Sequence, residues 1–147
     1  MKPEKQKGDF KELGKIDKEN LDLEFTKFTA DYSYYSYQFS IIYTEELKAK
    51  ARLERIEFLL YKKYRKELGK ADKKFTEKLI ESSIRTDNNY MLAEEEWLKC
   101  RERLVYYSNL LKVLDKKKDM LISLGAQMRA ELSAKLTISE KKIENGN

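Results

Sequence analysis

The chain contains no histidine and a single cysteine, Cys100. Without an imidazole there is no Ser-His-Asp triad, no Cys-His pair and no histidine metal site. The di-iron helical bundle, which needs Glu-x-x-His pairs, is excluded on the same ground. One thiol makes neither an intramolecular disulfide nor a cysteine metal cluster, and it points to a reducing, intracellular setting. Proline occurs once, at Pro3, and glycine five times, which is too little turn chemistry for a β fold. The glycines assemble into no phosphate-cradling loop and no Walker or dinucleotide pattern. No run is apolar enough to span a membrane. The Lys-rich start over 1–7 is followed by no apolar stretch, so no signal peptide is expected. Carboxylates are plentiful but spread as helix-surface charge. We expect no enzyme, no cofactor and no metal.

What is present is helical patterning. The 147 residues suggest one domain, and a composition of 39% charged and 41% hydrophobic residues favours elongated helices. From Asn88 to Leu132 an apolar stripe steps by threes and fours through Tyr90, Ala93, Trp97, Cys100, Leu104, Tyr107, Leu111, Leu114, Lys118, Leu121, Gly125, Met128 and Leu132. Only Lys118 and Gly125 fail to be apolar or small. This is the heptad seam of a long helix. At ~1.5 Å per residue it spans ~65 Å and needs a partner of similar length. Cys100, on the seam, reads as an apolar filler rather than a reactive thiol.

A second stripe provides the partner. Leu21, Phe25, Phe28, Tyr32, Tyr35, Phe39, Ile42, Glu46, Ala49, Leu53, Ile56 and Leu60 take the same steps, broken only by Glu46. Tyr35, Tyr37, Phe39, Ile41 and Tyr43 also alternate as a strand does. The heptad continues on both sides of them, whereas the alternation has no mate, so helix is preferred. The first helix is expected from Leu21, capped by Asn20, to Glu67, with Gly69 as its C-terminal stop. Lys70 to Lys74 is a charged connector. Thr76 is expected to cap a short helix with Phe75 clasping Ile80, and Asp87 or Thr86 to cap the next one. Glu94-Glu95-Glu96 suits the positive N-terminal end of that helix, while the dipole does not explain Lys116-Lys117-Lys118.

The expected fold is all-α: an antiparallel long-helix hairpin, coiled-coil-like, with a short connecting helix. Its domain covers 21–132, between a flexible basic segment over 1–20 and a flexible tail over 133–147. In the first segment Phe10, Leu13 and Ile16 can form one apolar turn. Tyr34, Tyr37, Ile41, Tyr43, Phe58 and Leu59 lie off the first seam, and Leu98, Val105, Leu110 and Ile122 lie off the second. That surplus predicts assembly of hairpins into a homo-oligomer.

Charge is uneven. Between Lys48 and Lys78 there are twelve basic residues against five acidic ones, in a chain whose net charge is +5. Tyr61 and Tyr64 interleave with the basic pairs. Cations neutralise phosphates and release counterions, and an aromatic ring stacks on an unpaired base for ~1–3 kcal/mol. Single-stranded nucleic acid suits that mixture, while duplex readout lacks a recognition-helix motif. The other reading is a solvated helix face, with Tyr61 and Tyr64 packed against the connector. Tyr32, Tyr34, Tyr35, Tyr37 and Tyr43 have no basic residue among them and read as core or oligomer interface.

From Phe75 to Leu132 the chain resembles the UvsY-like phage recombination mediators. The resemblance rests on Thr76-Glu77-Lys78 opening a short helix and on Ile84-Arg85-Thr86-Asp87 with Tyr90 at the junction. It continues through Lys117-Lys118-Asp119-Met120-Leu121-Ile122-Ser123-Leu124-Gly125-Ala126 and Arg129-Ala130-Glu131. Lys50-Ala51-Arg52-Leu53-Glu54 is similar to the family's short basic motif for single-stranded DNA. In the family paired tyrosines follow that motif closely, whereas here Tyr61 and Tyr64 come later. The resemblance implies a non-catalytic homo-oligomer that binds single-stranded DNA and helps a RecA-like recombinase replace single-strand-binding protein, in the host cytoplasm if the chain is phage-encoded. The residues expected on phosphates are Lys50, Arg52, Arg55, Lys62, Lys63, Arg65 and Lys66, with Tyr61 or Tyr64 stacking. The alternative is a helical protein-interaction module, a phage scaffold, adaptor or inhibitor, that binds no nucleic acid.

Overall fold

The computed structural model of the protein describes residues 6–70 and 76–144. Among these residues there are four helices and no strand: α1 Gln6–Leu13, α2 Leu21–Lys70, α3 Glu77–Arg85 and α4 Asn88–Glu144. Tyr32 to Tyr43 lies inside α2, so the heptad and not the alternation governs that stretch. α2 runs through Gly69 to Lys70, a little past its expected stop. Lys73, Lys74 and the Phe75 staple lie outside the described residues.

The chain divides into two units. One holds α1, α2 as far as Ser36, and α4 from Asn109. Its core is Leu21 from α2 with Leu114, Lys117 and Leu121 from α4, all buried. Here Leu21, Phe28, Tyr35, Leu114 and Leu121 point inward as expected, and the seam is corrected by one residue at the positions between them. Phe25 and Tyr32 are exposed, and Glu24 and Asp31 turn inward in their place. On α4 it is Lys117, not Lys118, that is buried. The cause is charge: Lys117 Nζ stands 2.7 Å from Glu24 Oε2, although not aligned for a hydrogen bond. A lysine is buried only where a counter-charge receives it. The ammonium in turn holds the Glu24 carboxyl below its ordinary pKa. Asp31 Oδ2, also buried, has no hydrogen-bond partner among the described residues.

In this unit Gln6–Leu13 forms the short helix α1. Phe10, Leu13 and Ile16 are half-buried. A methyl group added at Gly14 would touch Val113 of α4 at 3.6 Å, so α1 ends close against that helix. Asp17 accepts from the Glu19 N–H and the Asn20 side chain, closing the turn before α2. At the other end α4 continues twelve residues past Leu132, and from Ala126 to Ser139 every side chain is exposed.

The second unit, Tyr37–Ser108, contains the rest of α2, α3 and the first part of α4. Glu45 pairs with Arg103, Glu46 with Trp97 and Arg101, and Arg52 with Glu96. Numbers rise along α2 as they fall along α4, which makes the two helices antiparallel. Ile42, Ala49, Leu53 and Ala93 line the buried seam, and Trp97, Cys100 and Leu104 are half-buried on it. Glu46 does not interrupt the seam: it is buried with its Oε1 accepting from the Trp97 indole at 2.8 Å.

α3 is tied in by a small core of its own. Ile80 and Ile84 are buried against Leu60, with Ile56, Tyr61, Tyr64, Leu68 and Tyr90 around them. Each fully buried Leu or Ile side chain contributes about 1.5–3 kcal/mol. Thr76 precedes α3 in extended conformation but makes no side-chain cap; only its carbonyl accepts, from Leu79 and Ile80. Between α3 and α4, Asp87 is the working cap, with Oδ1 accepting from the Asn89 N–H at 2.9 Å. Among the described residues no helix is long and apolar enough to cross a membrane.

Candidate nucleic-acid interface

All nine residues singled out from the sequence stand on the C-terminal part of α2, within the second unit. They do not share one face. At 3.6 residues per turn, the face of α2 turned away from Ala49, Leu53 and Leu60 carries Lys48, Arg52, Arg55, Leu59, Lys62, Lys66 and Lys70. All seven are exposed. Of the three carboxylates of this stretch, Glu54 and Glu57 fall toward one flank, and Glu67, one heptad after Leu60, falls on the seam side. The result is a cationic stripe about 33 Å long at ~1.5 Å per residue, with no acidic residue of its own helix on it.

The cations differ in what holds them. Arg52 Nη1 is 2.8 Å from Glu96 of α4, and Lys50 sits off the stripe, 3.9 Å from Glu54. Lys63 Nζ lies 3.9 Å from Asp87 and over the Tyr64 ring. Lys62 Nζ stands 4.3 Å above the exposed Phe58 ring. Lys48, Arg55, Arg65 and Lys66 have no ion-pair partner among the described residues. Exposed cations without counter-charges cost nothing to redirect toward phosphate, while a paired one must first be released.

Tyr61 and Tyr64 are placed differently from the stacking role considered for them. Tyr64 donates its hydroxyl to Asp87 Oδ2 at 2.8 Å, and Tyr61 donates to the Glu77 carboxylate at 3.2 Å. Their rings pack on the Ile80–Ile84 core. These two tyrosines hold α3 and the start of α4 against α2. The Tyr64 hydroxyl lowers the Asp87 carboxyl below its ordinary range, helped by the Asn89 N–H and by Lys63. The same bond raises the Tyr64 hydroxyl. Exposed apolar surface beside the stripe comes instead from Phe58 and Leu59. Lys48, Lys70, Phe58 and Leu59 join the face through the helical period of α2, a signal that net charge along the chain does not carry.

Cys100 is half-buried, and burial pushes its thiol pKa up, away from the thiolate that reaction requires. Among the described residues no group of three or more Cys, Asp or Glu side chains is placed to hold a metal ion. No family model matches the sequence, and no curated protein and no solved structure matches it either.

Proposed function

We propose that the protein is a non-catalytic single-stranded DNA-binding protein that acts as a recombination mediator. The observation that carries the binding part is the outer face of α2, where Lys48, Arg55, Lys62 and Lys66 have no ion-pair partner among the described residues and no carboxylate of that helix lies between them. A long face carrying charge of one sign neutralises phosphates in a row. Its exposed Phe58 and Leu59 offer apolar contact to unpaired bases, which a duplex does not present. The mediator part rests on the resemblance to the UvsY-like proteins. Each face alone makes a few weak contacts. A homo-oligomer would join several of them on one strand and raise avidity through effective concentration. In that reading the strand is held loosely enough for a RecA-like recombinase to take it over from single-strand-binding protein.

The test is a salt titration of binding to a fluorescent single-stranded oligonucleotide, with a duplex as control. For single strands log K falls with log salt by about 0.7 per phosphate neutralised. Changing Arg55, Lys62, Arg65 and Lys66 together to Ala should reduce that slope by about 3 while leaving the helical circular dichroism unchanged. An unaltered slope, or no affinity at modest salt, rejects the proposal and leaves the protein-interaction module as the reading.

A further inference from the structure

We propose that α4 from Ala126 to Ser139 docks an amphipathic helix of another protein, one whose apolar stripe is edged by aspartate and glutamate. In the first unit α4 outruns its cover. Leu114, Lys117 and Leu121 are buried on its inner side, but every side chain from Ala126 to Ser139 is exposed. The inner side does not turn polar there. Met128, Leu132 and Leu136 follow at steps of four, each 51–62% exposed. At 3.6 residues per turn Leu132 lies within about 20° of Leu114 and Leu121 around α4, so the stripe continues the packed side. Among the described residues this chain supplies no cover for it. α2 begins at Leu21, after the turn that Asp17 closes. Gly14, at the end of α1, lies against Val113, about 20 Å of helix short of Ala126. Where α2 starts, Leu21, Leu23 and Phe25 with Gly125, Met128 and Arg129 of α4 line an open depression of about 500 Å³. A helix laid on Met128, Leu132 and Leu136 ends in that depression, in line with α2.

Charge selects the occupant. Arg129 and Lys135 stand three residues before and three after Leu132, which puts them about 60° to either side of it. Both edges of the stripe are therefore basic, and neither cation has an ion-pair partner among the described residues. Glu131, the carboxylate of this stretch, lies about 100° from Leu132 and accepts from Gln127 at 3.0 Å. Charges that edge an apolar helix stripe decide which helix pairs with it. A second copy of this stretch does not fit. Antiparallel about Leu132, it brings Arg129 against Lys135 twice; parallel, it again brings basic edge against basic edge. Like charges at the edges disfavour both arrangements. A helix edged by carboxylates gains at both. Glu19 and Asp22 also line the depression, so the turn that enters it carries lysine or no charge. The basic face of α2 takes no part, and this inference does not rest on the proposed DNA binding.

The experiment uses the full chain and a fluorescein-labelled peptide of about three heptads, with Leu at a and d and Glu at e and g; a control peptide carries Lys at e and g instead. Anisotropy should show the Glu peptide binding about tenfold or more tightly than the Lys peptide. Leu132→Gln with Leu136→Gln, both at exposed positions, should weaken Glu-peptide binding about tenfold with circular dichroism unchanged. Arg129→Glu with Lys135→Glu should reverse the preference between the two peptides. Changing Arg55, Lys62, Arg65 and Lys66 together to Ala should leave Glu-peptide binding as in the parent. No binding of the Glu peptide at about 100 μM overturns the proposal, as does equal binding of the two peptides. Binding lost in the α2 variant and kept in the Leu132, Leu136 variant also overturns it, because the peptide then rests on the cationic stripe. A lower mass by light scattering for the Leu132, Leu136 variant than for the parent would put a second copy on the stripe and reject the acidic helix. None of these measurements contains DNA, so the failure of DNA binding leaves the outcome unaffected.

Discussion

The indole N–H of Trp97 donates to Glu46 Oε1 across the helix pair at 2.8 Å, and the Arg101 guanidinium stands 3.6 Å from the same oxygen. Arg101 also lies over the Trp97 ring at 5.6 Å. The buried Glu46 carboxylate thus has two partners, the half-buried indole on the seam and the exposed Arg101 at its edge. A buried polar group left unpaired costs about 1–3 kcal/mol, and more when it is charged. Glu46→Ala strands the indole N–H, and Trp97→Phe leaves the carboxylate to the Arg101 guanidinium. Each should lower unfolding free energy in urea by about 1–3 kcal/mol. Glu46→Gln, which keeps an acceptor, should cost less than Glu46→Ala. Equal losses for the two Glu46 variants would show that the hydrogen bond contributes nothing.

The register of the first unit is tested by two adjacent lysines. Lys117 is buried against Glu24, and Lys118 is half-exposed, 3.6 Å from Asp115 on its own helix. Lys117→Ala removes the counter-charge of an inward carboxylate and leaves a void, and should cost about 2–4 kcal/mol. Lys118→Ala loses only a surface pair, worth about 0.3–0.5 kcal/mol. Thermal melts of the two variants decide between the registers. If Lys118→Ala is the more damaging, the seam passes through 118 after all.

Asp31 offers the converse. Its Oδ2 is buried with no hydrogen-bond partner among the described residues, on the inward side of α2. Asp31→Leu removes that unpaid desolvation and adds apolar surface to the seam. It should raise unfolding free energy by about 1 kcal/mol. A fall in the urea midpoint would mean that the carboxylate has a role in the fold.

These particulars show what the linear chain discloses. The two long helices and their antiparallel pairing were legible because steps of three and four persist over dozens of residues. The register was only half legible. Glu24 and Phe25 both lie a permitted step from Leu21, as Asp31 and Tyr32 do from Phe28. Apolarity favours the second of each pair, but the ion pair to Lys117 turns Glu24 inward, and Asp31 follows one heptad later. That pairing joins residues 93 positions apart, which no local pattern contains. The same holds at the site: the cation excess was visible by counting, whereas the partners of Tyr61 and Tyr64, on Glu77 and Asp87, emerge only when α3 folds back. Leu110, off the expected seam, is fully buried. From Ser133 to Ser139 α4 persists with every side chain exposed, carried by residues of high helix propensity such as Ala, Leu, Glu and Lys.

The Tyr64–Asp87 bond gives the α3 junction a defined pH response. A carboxyl whose folded pKa lies below its unfolded value favours the fold above that unfolded value, about 4 for Asp, and loses the contribution as pH falls through the folded pKa. The Tyr64 hydroxyl, raised by the same bond, contributes below its unfolded pKa of about 10 and loses this as pH rises through the higher folded value. The stability gap between the parent and Asp87→Asn should therefore be constant from pH 5 to 8 and shrink below about 4. Urea midpoints across that range measure it. A gap that survives unchanged at pH 3 would mean that the carboxylate charge is irrelevant there.

The last contrast lies between two arginines three residues apart on α2. Arg52 is held by Glu96 at 2.8 Å, whereas Arg55 is exposed with no ion-pair partner among the described residues. If the outer face of α2 contacts phosphate, Arg55 is available at once, and Arg52 must exchange one carboxylate for another anion. Arg55→Ala should therefore weaken single-stranded DNA binding more than Arg52→Ala, about threefold to tenfold against less than threefold at modest salt. Glu96→Gln should reverse the order for Arg52 by releasing it, and tighten binding slightly. Fluorescence anisotropy with a poly-dT oligonucleotide compares all three variants. Equal effects of the two arginines would show that the Glu96 bridge does not persist in solution, and a larger effect of Arg52 would move the contact surface to the α2–α4 edge.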